Sequence, residues 1–443
     1  MTRPSVMPLL EGRLGYFWAC EDAPLVFDEE RARPGFVQQQ DRGIHLKLLV
    51  DGVRDAMARE FAPTSPPRGF VGICEGTGAV IVDIVGSGGG SLNLMGQRAS
   101  TEGFAAQTLI ATEEALEVRD LLLEEGTIRL VGTKLFDWAH HDAYESTVRT
   151  DPTTGLVQSA TLELLPTTSE IARVPGLGDV IVKADWSLNT RTKTVVYVDL
   201  ALEFTVQVRK PVEGRDLMRR LGALQLLVSA VFDGFVVADG GWARLPGLEG
   251  KGALWNSVLM RDPSGTPIRP YEGDALPFVD LPTLGGAHAL SRWLRLSDQH
   301  PRAMAPIVNR WRRGPGSPDL RLVECAVAIE YWVACHRRRT KWAKESKHWP
   351  LMAAKQAAQE FDDFVGDRTV WADRLWKAYG TLKHDPNADL DMGELHVLAE
   401  SAYVLLLGLV LDRVAGSKQP SRAMAKHHRF HRLGEAIREE LGT

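Results

Sequence analysis

Cysteine is scarce in this chain: four in 443 residues, with no Cys-x-x-Cys pair. The spacings exclude a zinc knuckle and give no disulfide framework, so Cys20, Cys74, Cys325 and Cys335 are expected to be free and buried. Long apolar runs are also missing. No stretch of about 18 residues lacks a charge, so no membrane-spanning helix is expected, and Ala402–Leu411 reads as a core helix instead. The opening residues lack the apolar segment and small-residue cleavage site of a secretion signal, which leads us to expect a cytoplasmic protein. A Gly-x-Ser-x-Gly elbow, a Gly-Lys-Ser/Thr phosphate loop and a His-Glu-x-x-His pair are absent as well. No metal or cofactor is expected.

What is present divides in two. The length exceeds one ordinary core, so two domains are expected. The net charge of −5 conceals an asymmetry. From Gly285 onward there are 25 Lys and Arg against 19 Asp and Glu, whereas the preceding part has 27 against 38. A basic C-terminal part points towards an anionic partner such as nucleic acid.

Residues 1–275 read as a β-rich, sandwich- or barrel-like unit. Leu14–Trp18, Ile44–Val50, Ala79–Val85, Ile128–Phe136 and Thr194–Val208 are β-branched, aromatic or alternating, with turn residues between them. Leucines 217, 221, 224 and 227 then repeat at helical spacing within Glu213–Phe232. Gly234–Ala238 and Ala253–Met260 read as two further strands. Pro- and Gly-rich sequence from Asp262 to Gly286 reads as the connection. Residues 285–443 read as an all-α bundle with helices over Ala287–Leu296, Arg302–Arg312, Asp319–Lys347, Trp349–Val365, Val370–Lys383, Gly393–Val414 and Arg422–Leu441. The fold class is thus α+β.

Several motifs carry bland readings. Gly86–Ser91 follows a strand, as phosphate loops do, but no helix follows it, so a hairpin loop is expected. His140-His141-Asp142 has no matching nucleophile. His427 and His431 are four apart and would share a helix face, but Arg429 and Arg432 would repel a cation, so a solvated basic face is expected.

Two segments point to RNA. The run from His336 to His348 holds Arg337, Arg338, Arg339 and Lys341 around Trp342, at the end of a long helix. Cations there are favoured by the helix dipole, and equally by phosphate. The second segment is Leu375-Trp-Lys-Ala-Tyr-Gly-Thr-Leu-Lys-His384-Asp385-Pro386, an amphipathic helix that Asp-Pro stops just after a histidine. Imidazole suits proton transfer near neutrality, and a nearby cation suits a phosphate. Arg-x4-His spacing also occurs at Arg295/His300 and Arg422/His427, so the spacing alone is not diagnostic.

The whole arrangement resembles the ApeA-like anti-phage proteins, an ApeA N-terminal domain followed by a HEPN domain. The resemblance rests on Gly12–Trp18, the strand around Gly72 and Leu135–Trp138 in the first part. In the second it rests on Val327–Trp332, Thr381–His384 with Asp-Pro, and the leucine-rich Leu395–Leu411. It implies a HEPN homodimer that cleaves RNA, such as tRNA, without a metal, in abortive infection set off by a phage-derived trigger. His384 matches the family's catalytic His, and Glu330 an acidic position. The family's Arg falls on Tyr379 and its following polar residue on Gly380. Lys377 is the first substitute cation, with Arg374 and Lys383 as further RNA contacts. Without the Arg, a non-catalytic HEPN protein that binds RNA or a phage component, or scaffolds a dimer, is the alternative. A purely structural bundle is a third reading.

Overall fold

The computed structural model describes residues 5–20, 31–40, 43–50, 67–94, 97–113, 121–139, 144–192, 195–248, 250–260, 275–312, 316–336, 348–385, 387 and 390–442. Its architecture is α+β, with a β-rich N-terminal part and a helical C-terminal part.

The strands are β1 (Glu11–Cys20), β2 (Arg33–Gln40), β3 (Gly43–Val50), β4 (Gly69–Cys74), β5 (Thr77–Leu94), β6 (Gln97–Thr112), β7 (Leu123–Val131), β8 (Tyr144–Thr150), β9 (Val157–Leu164), β10 (Thr168–Val174), β11 (Gly178–Thr192), β12 (Val195–Val212), β13 (Gly241–Arg244) and β14 (Gly252–Asn256). In the order β1-β2-β3-β6-β5-β4 they close an antiparallel six-stranded barrel, because β4 pairs back onto β1. Closure removes the free edges that an open sheet would expose. Alternation decides what fills it: Ile44, Leu46 and Leu48 point inward from β3 and meet Phe17, Phe70 and Phe104. Gly72 lies under Phe17, whose ring occupies the space a Cβ would need.

The barrel is not isolated. Beyond its pairing with β3, β6 continues and pairs with β14 through residues 108–111. From there the sheet runs β14-β13-β7-β12-β11-β10. Val80, Val82 and Ile110, alternating with the barrel-filling residues, face a second core shared with this arm. The pair β8-β9 forms a separate two-stranded sheet.

The helices are α1 (Met7–Leu10), α2 (Thr133–Trp138), α3 (Gly214–Val231), α4 (Leu281–Leu284), α5 (Ala287–Gln299), α6 (Pro301–Arg312), α7 (Pro318–His336), α8 (Trp349–Ala354), α9 (Glu360–Val365), α10 (Arg368–His384), α11 (Met392–Ala415), α12 (Gln419–Lys426) and α13 (His428–Leu441). Leu217, Leu221, Leu224 and Leu227 of α3 are all buried, and a Cβ at Gly126 on β7 would sit 2.9 Å from Leu217 and Leu221. The missing side chain lets helix and sheet approach closely. The α3 N-cap residue, Glu213, makes no side-chain cap bond. Asp83 on β5 supplies the acceptor instead, bonding to the Arg215 backbone. Asp83 has φ 61°, in the left-handed region that Asp tolerates better than most residues. Burial raises its carboxyl above the ordinary range.

Local caps set the bundle. Asp367 accepts from Thr369 N at 2.7 Å to start α10, and Asp391 accepts from Gly393 N at 2.7 Å to start α11. Helix α11 is the bundle's axis, buried almost throughout Leu395–Leu411. It is long and apolar enough to cross a bilayer, but 83% of its most apolar window is buried inside the fold. One hydrophobic core runs from the outer sheet through α3 into the bundle. The chain entering α4 lies in that core: Phe278 N donates to Val231 O at 3.0 Å, and Trp138 Nε1 donates to Val279 O at 2.9 Å.

The sequence expectations need correction at five points. Gly86–Ser91 is not a loop but part of β5, paired with β6 after a bulge near Ile84. Leu135–Trp138 does not end a strand; the strand stops at Val131, Gly132 turns the chain and α2 follows. Gly234–Ala238 holds no strand, which begins instead at Gly241. Trp349–Val365 is two helices broken at 355–359, and Arg422–Leu441 is two helices broken at His427. His427 therefore caps α13 and shares no helix face with His431.

Candidate functional site

The His384 end of α10 is built from the helix outward. Trp371 and Leu375 anchor α10 in the core, and Trp371 Nε1 donates to Ser401 Oγ of α11 at 2.8 Å. The rest of its surface carries Asp373, Arg374, Lys377, Lys383 and His384, all exposed. His384 is the last residue of the helix and is exposed. Lys377 stands seven residues earlier, so it lies about 10 Å along the axis and about 20° around it. Thr381 lies between them, its hydroxyl donating to Lys377 O at 2.9 Å. Among the described residues, no carboxylate pairs with the side chain of Lys377 or His384.

The other residues proposed from sequence are placed differently. Arg374 pairs with Glu394 in the first turn of α11 at 3.2 Å, so its charge is matched. Glu330, on α7, is buried; burial raises its carboxyl above the ordinary range, and Lys383 partly opposes that. Lys383 Nζ also lies 5.4 Å from the ring centre of Tyr379. Tyr379 is buried, whereas a Cβ at Gly380 would meet nothing within 4 Å. The structure thus joins Glu330, Lys383 and Tyr379 at the inner side of the helix end, with Lys377 and His384 outside. Arg337, Arg338, Arg339 and Lys341, like His140–Asp142, lie outside the described residues.

His427 has a structural role. His427 is packed against Phe278 and His428. Burial, then His428 and Arg429, lowers its imidazole to about 4, so it stays neutral and its Nδ1 accepts from Arg429 N. Arg422 pairs with Glu360 at 2.9 Å, and Arg429 Nη1 donates to Phe232 O at 2.6 Å. Among the described residues no three His, Cys, Asp or Glu converge as a metal-binding group. The thiols of Cys20, Cys74 and Cys325 are buried, and burial raises them to about 12, 11 and 12.

A charged knot ties the two parts together. Arg310 Nη1 donates to both carboxylate oxygens of Glu400, at 3.1 and 2.9 Å, and Arg321 reaches Glu400 at 2.7 Å. Arg310 also faces Asp233, just after α3, at 3.6 Å, and lies 4.3 Å from the ring centre of Tyr403.

A second cleft, of about 550 Å³, opens between α5, α7 and the end of α11. Arg292, Arg295, His300 and Arg413 line it together with Leu296, Gln299, Ala303, Tyr331 and Trp332. The Arg292 guanidinium rests against Gly285 and Gly416, the left-handed caps of α4 and α11. His300 caps α5, and its ring centre is 6.2 Å from that of Tyr331. Its Nδ1 is buried without a hydrogen-bond partner. Arg295 and His300 share a spacing that other Arg and His pairs in the chain also have, which hid this cleft in the sequence. The missing contributor, Arg413, lies more than a hundred residues downstream. No protein-family model, curated protein or solved structure matches this chain.

Proposed function

We propose that the helical part is a HEPN-type RNA endonuclease that needs no metal and works as a homodimer in anti-phage abortive infection. The observation that carries this reading is the exposed His384 at the end of α10, with Lys377 on the same face and, among the described residues, no carboxylate paired to either. In such chemistry the RNA's own 2′-hydroxyl attacks the adjacent phosphate, which becomes a 2′,3′-cyclic phosphate as its bond to the next nucleotide's 5′-oxygen breaks and that oxygen leaves with a proton. His384 moves the proton, as an imidazole does near neutrality. Lys377 offsets the charge growing on the phosphate, as a point charge without the planar fork of Arg. Glu330 acts from behind by holding Lys383 at the helix end. A second copy of the chain brings its own helix end to the same phosphate.

A second reading, a non-catalytic protein that binds RNA or a phage component or scaffolds a dimer, draws on Tyr379. This residue stands where the family carries Arg, and it is buried beneath Lys383. The deciding experiment incubates bulk tRNA and a mixed RNA with purified protein in EDTA, comparing wild type with His384→Ala. Cleavage that disappears in the variant supports the nuclease. RNA binding at low salt without cleavage, lost steeply as salt rises, supports the second reading. Absence of both binding and cleavage overturns the two together.

A further inference from the structure

We propose that the cleft between α5, α7 and α11 binds a nucleotide phosphate, a site separate from His384 and independent of whether His384 cleaves RNA. Three guanidinium groups, from Arg292, Arg295 and Arg413, line one cavity. No carboxylate pairs with any of them among the described residues. The nearest acids in sequence are committed elsewhere: Asp298 pairs with Arg219 at 2.6 Å, and Asp412 accepts from Ser421 N at 2.9 Å. Guanidinium groups gathered without counter-charge repel one another, and a phosphate accepts their forked donors well.

Helix ends explain part of this, but not all of it. Arg413 is in the last turn of α11, and Arg292 lies against its cap, so the dipole favours both. Arg295 has no such reason, because it stands a full turn before the end of α5. His300 Nδ1 is a buried nitrogen with nothing to bond, which is rare unless water or a ligand completes it.

Shape narrows the ligand class. A cleft of about 550 Å³ is far larger than inorganic phosphate needs and falls in the usual range for a nucleotide-sized ligand of about 300–1,000 Å³. Its uncharged lining includes Leu296, Gln299 and Ala303, with Tyr331 half-exposed beside His300. A purine offers Tyr331 a flat face. The phosphate group then comes from a free nucleotide or from the end of an RNA strand.

Calorimetry on the full chain tests this with AMP, ATP, adenosine, inorganic phosphate, and one tetranucleotide RNA with or without a 5′-phosphate. We expect AMP, ATP or the phosphorylated RNA to bind at least tenfold more tightly than adenosine, inorganic phosphate and the unphosphorylated RNA. Preference for free nucleotide or for phosphorylated RNA names the source. Arg295→Gln with Arg413→Gln, both exposed in the wild type, weakens that binding at least tenfold and leaves the thermal midpoint in place. His384→Ala binds as wild type does, which separates this site from the proposed nuclease. Failure of every phosphorylated probe to bind at millimolar concentration overturns the proposal. So does unchanged binding in the doubly substituted protein.

Discussion

Lys383 holds its ammonium nitrogen 5.4 Å from the ring centre of Tyr379, and the same ammonium opposes the buried carboxylate of Glu330. Tyr379 therefore fills a packing position. Tyr379→Ala is expected to cost about 3 kcal/mol, as for other buried aromatics. Tyr379→Arg should also destabilise, because a guanidinium there is buried without a partner. Urea midpoints check both, and a Tyr379→Arg protein as stable as wild type would falsify the packing role. No gain in RNA cleavage is expected from that change.

Glu330 gives a pH signature. Burial raises its folded-state carboxyl, so the fold favours its protonated form. Its stabilising contribution is present below the unfolded value and is lost as pH rises through the folded one. Glu330→Gln should therefore gain stability relative to wild type as pH rises above the ordinary carboxyl value of about 4. Lys383→Met should do the reverse, since it removes the opposing cation, and the double variant should lose both pH effects. Parallel curves for wild type and Glu330→Gln above that value would count against this account.

How much of this was legible follows from where each signal is stored. The bundle's helices were readable because their punctuation is local: Asp367 and Asp391 cap within three residues, and apolar spacing marks the buried stripe. The break at His427 was missed because an imidazole capping through Nδ1 is not an ordinary stop signal. In the β part, the Gly-rich end of β5 and the Ala- and Gly-containing β6 have low intrinsic strand preference and are strands because they pair with each other. His384 was visible as a residue at a helix end, but its exposure was not. That Lys383 would face Glu330, and that Arg374 would be claimed by Glu394, depended on how helices pack. The basic cleft was hidden because its cations come from both α5 and α11.

The Arg310–Glu400 knot should be the costliest polar contact to break. Both side chains are mostly enclosed, at 18% and 12% exposure, so removing one leaves the other charged and buried. Arg310→Met or Glu400→Gln alone is expected to cost about 3–5 kcal/mol, and the two together less than their sum. The pH dependence has its own sign. Burial pushes the Glu400 carboxyl up, but Arg310 and Arg321 together outweigh it and hold the carboxyl below the ordinary range. Its stability is then present above the unfolded value and is lost as pH falls through the folded one. Acid denaturation should begin at higher pH in Arg321→Met than in wild type; denaturation curves below about pH 5 provide the check.

Asp83 should couple the barrel to α3. Its carboxylate accepts from Thr108 Oγ1 at 2.7 Å, and Thr108 accepts from Asn256 Nδ2 at 2.8 Å. The same carboxylate serves the start of α3, which has no cap of its own. Asp83→Ala loses the cap and places a residue that resists φ 61° there, so a cost of about 1–2 kcal/mol is expected. Asp83→Asn keeps a side-chain oxygen and tolerates that φ, so it should cost less. Asp83→Gly relieves the backbone but not the cap and should fall between them. Hydrogen exchange in the first turn of α3 reads the cap directly. If Asp83→Ala leaves protection at Arg215 and Asp216 unchanged, the barrel does not hold this helix through Asp83.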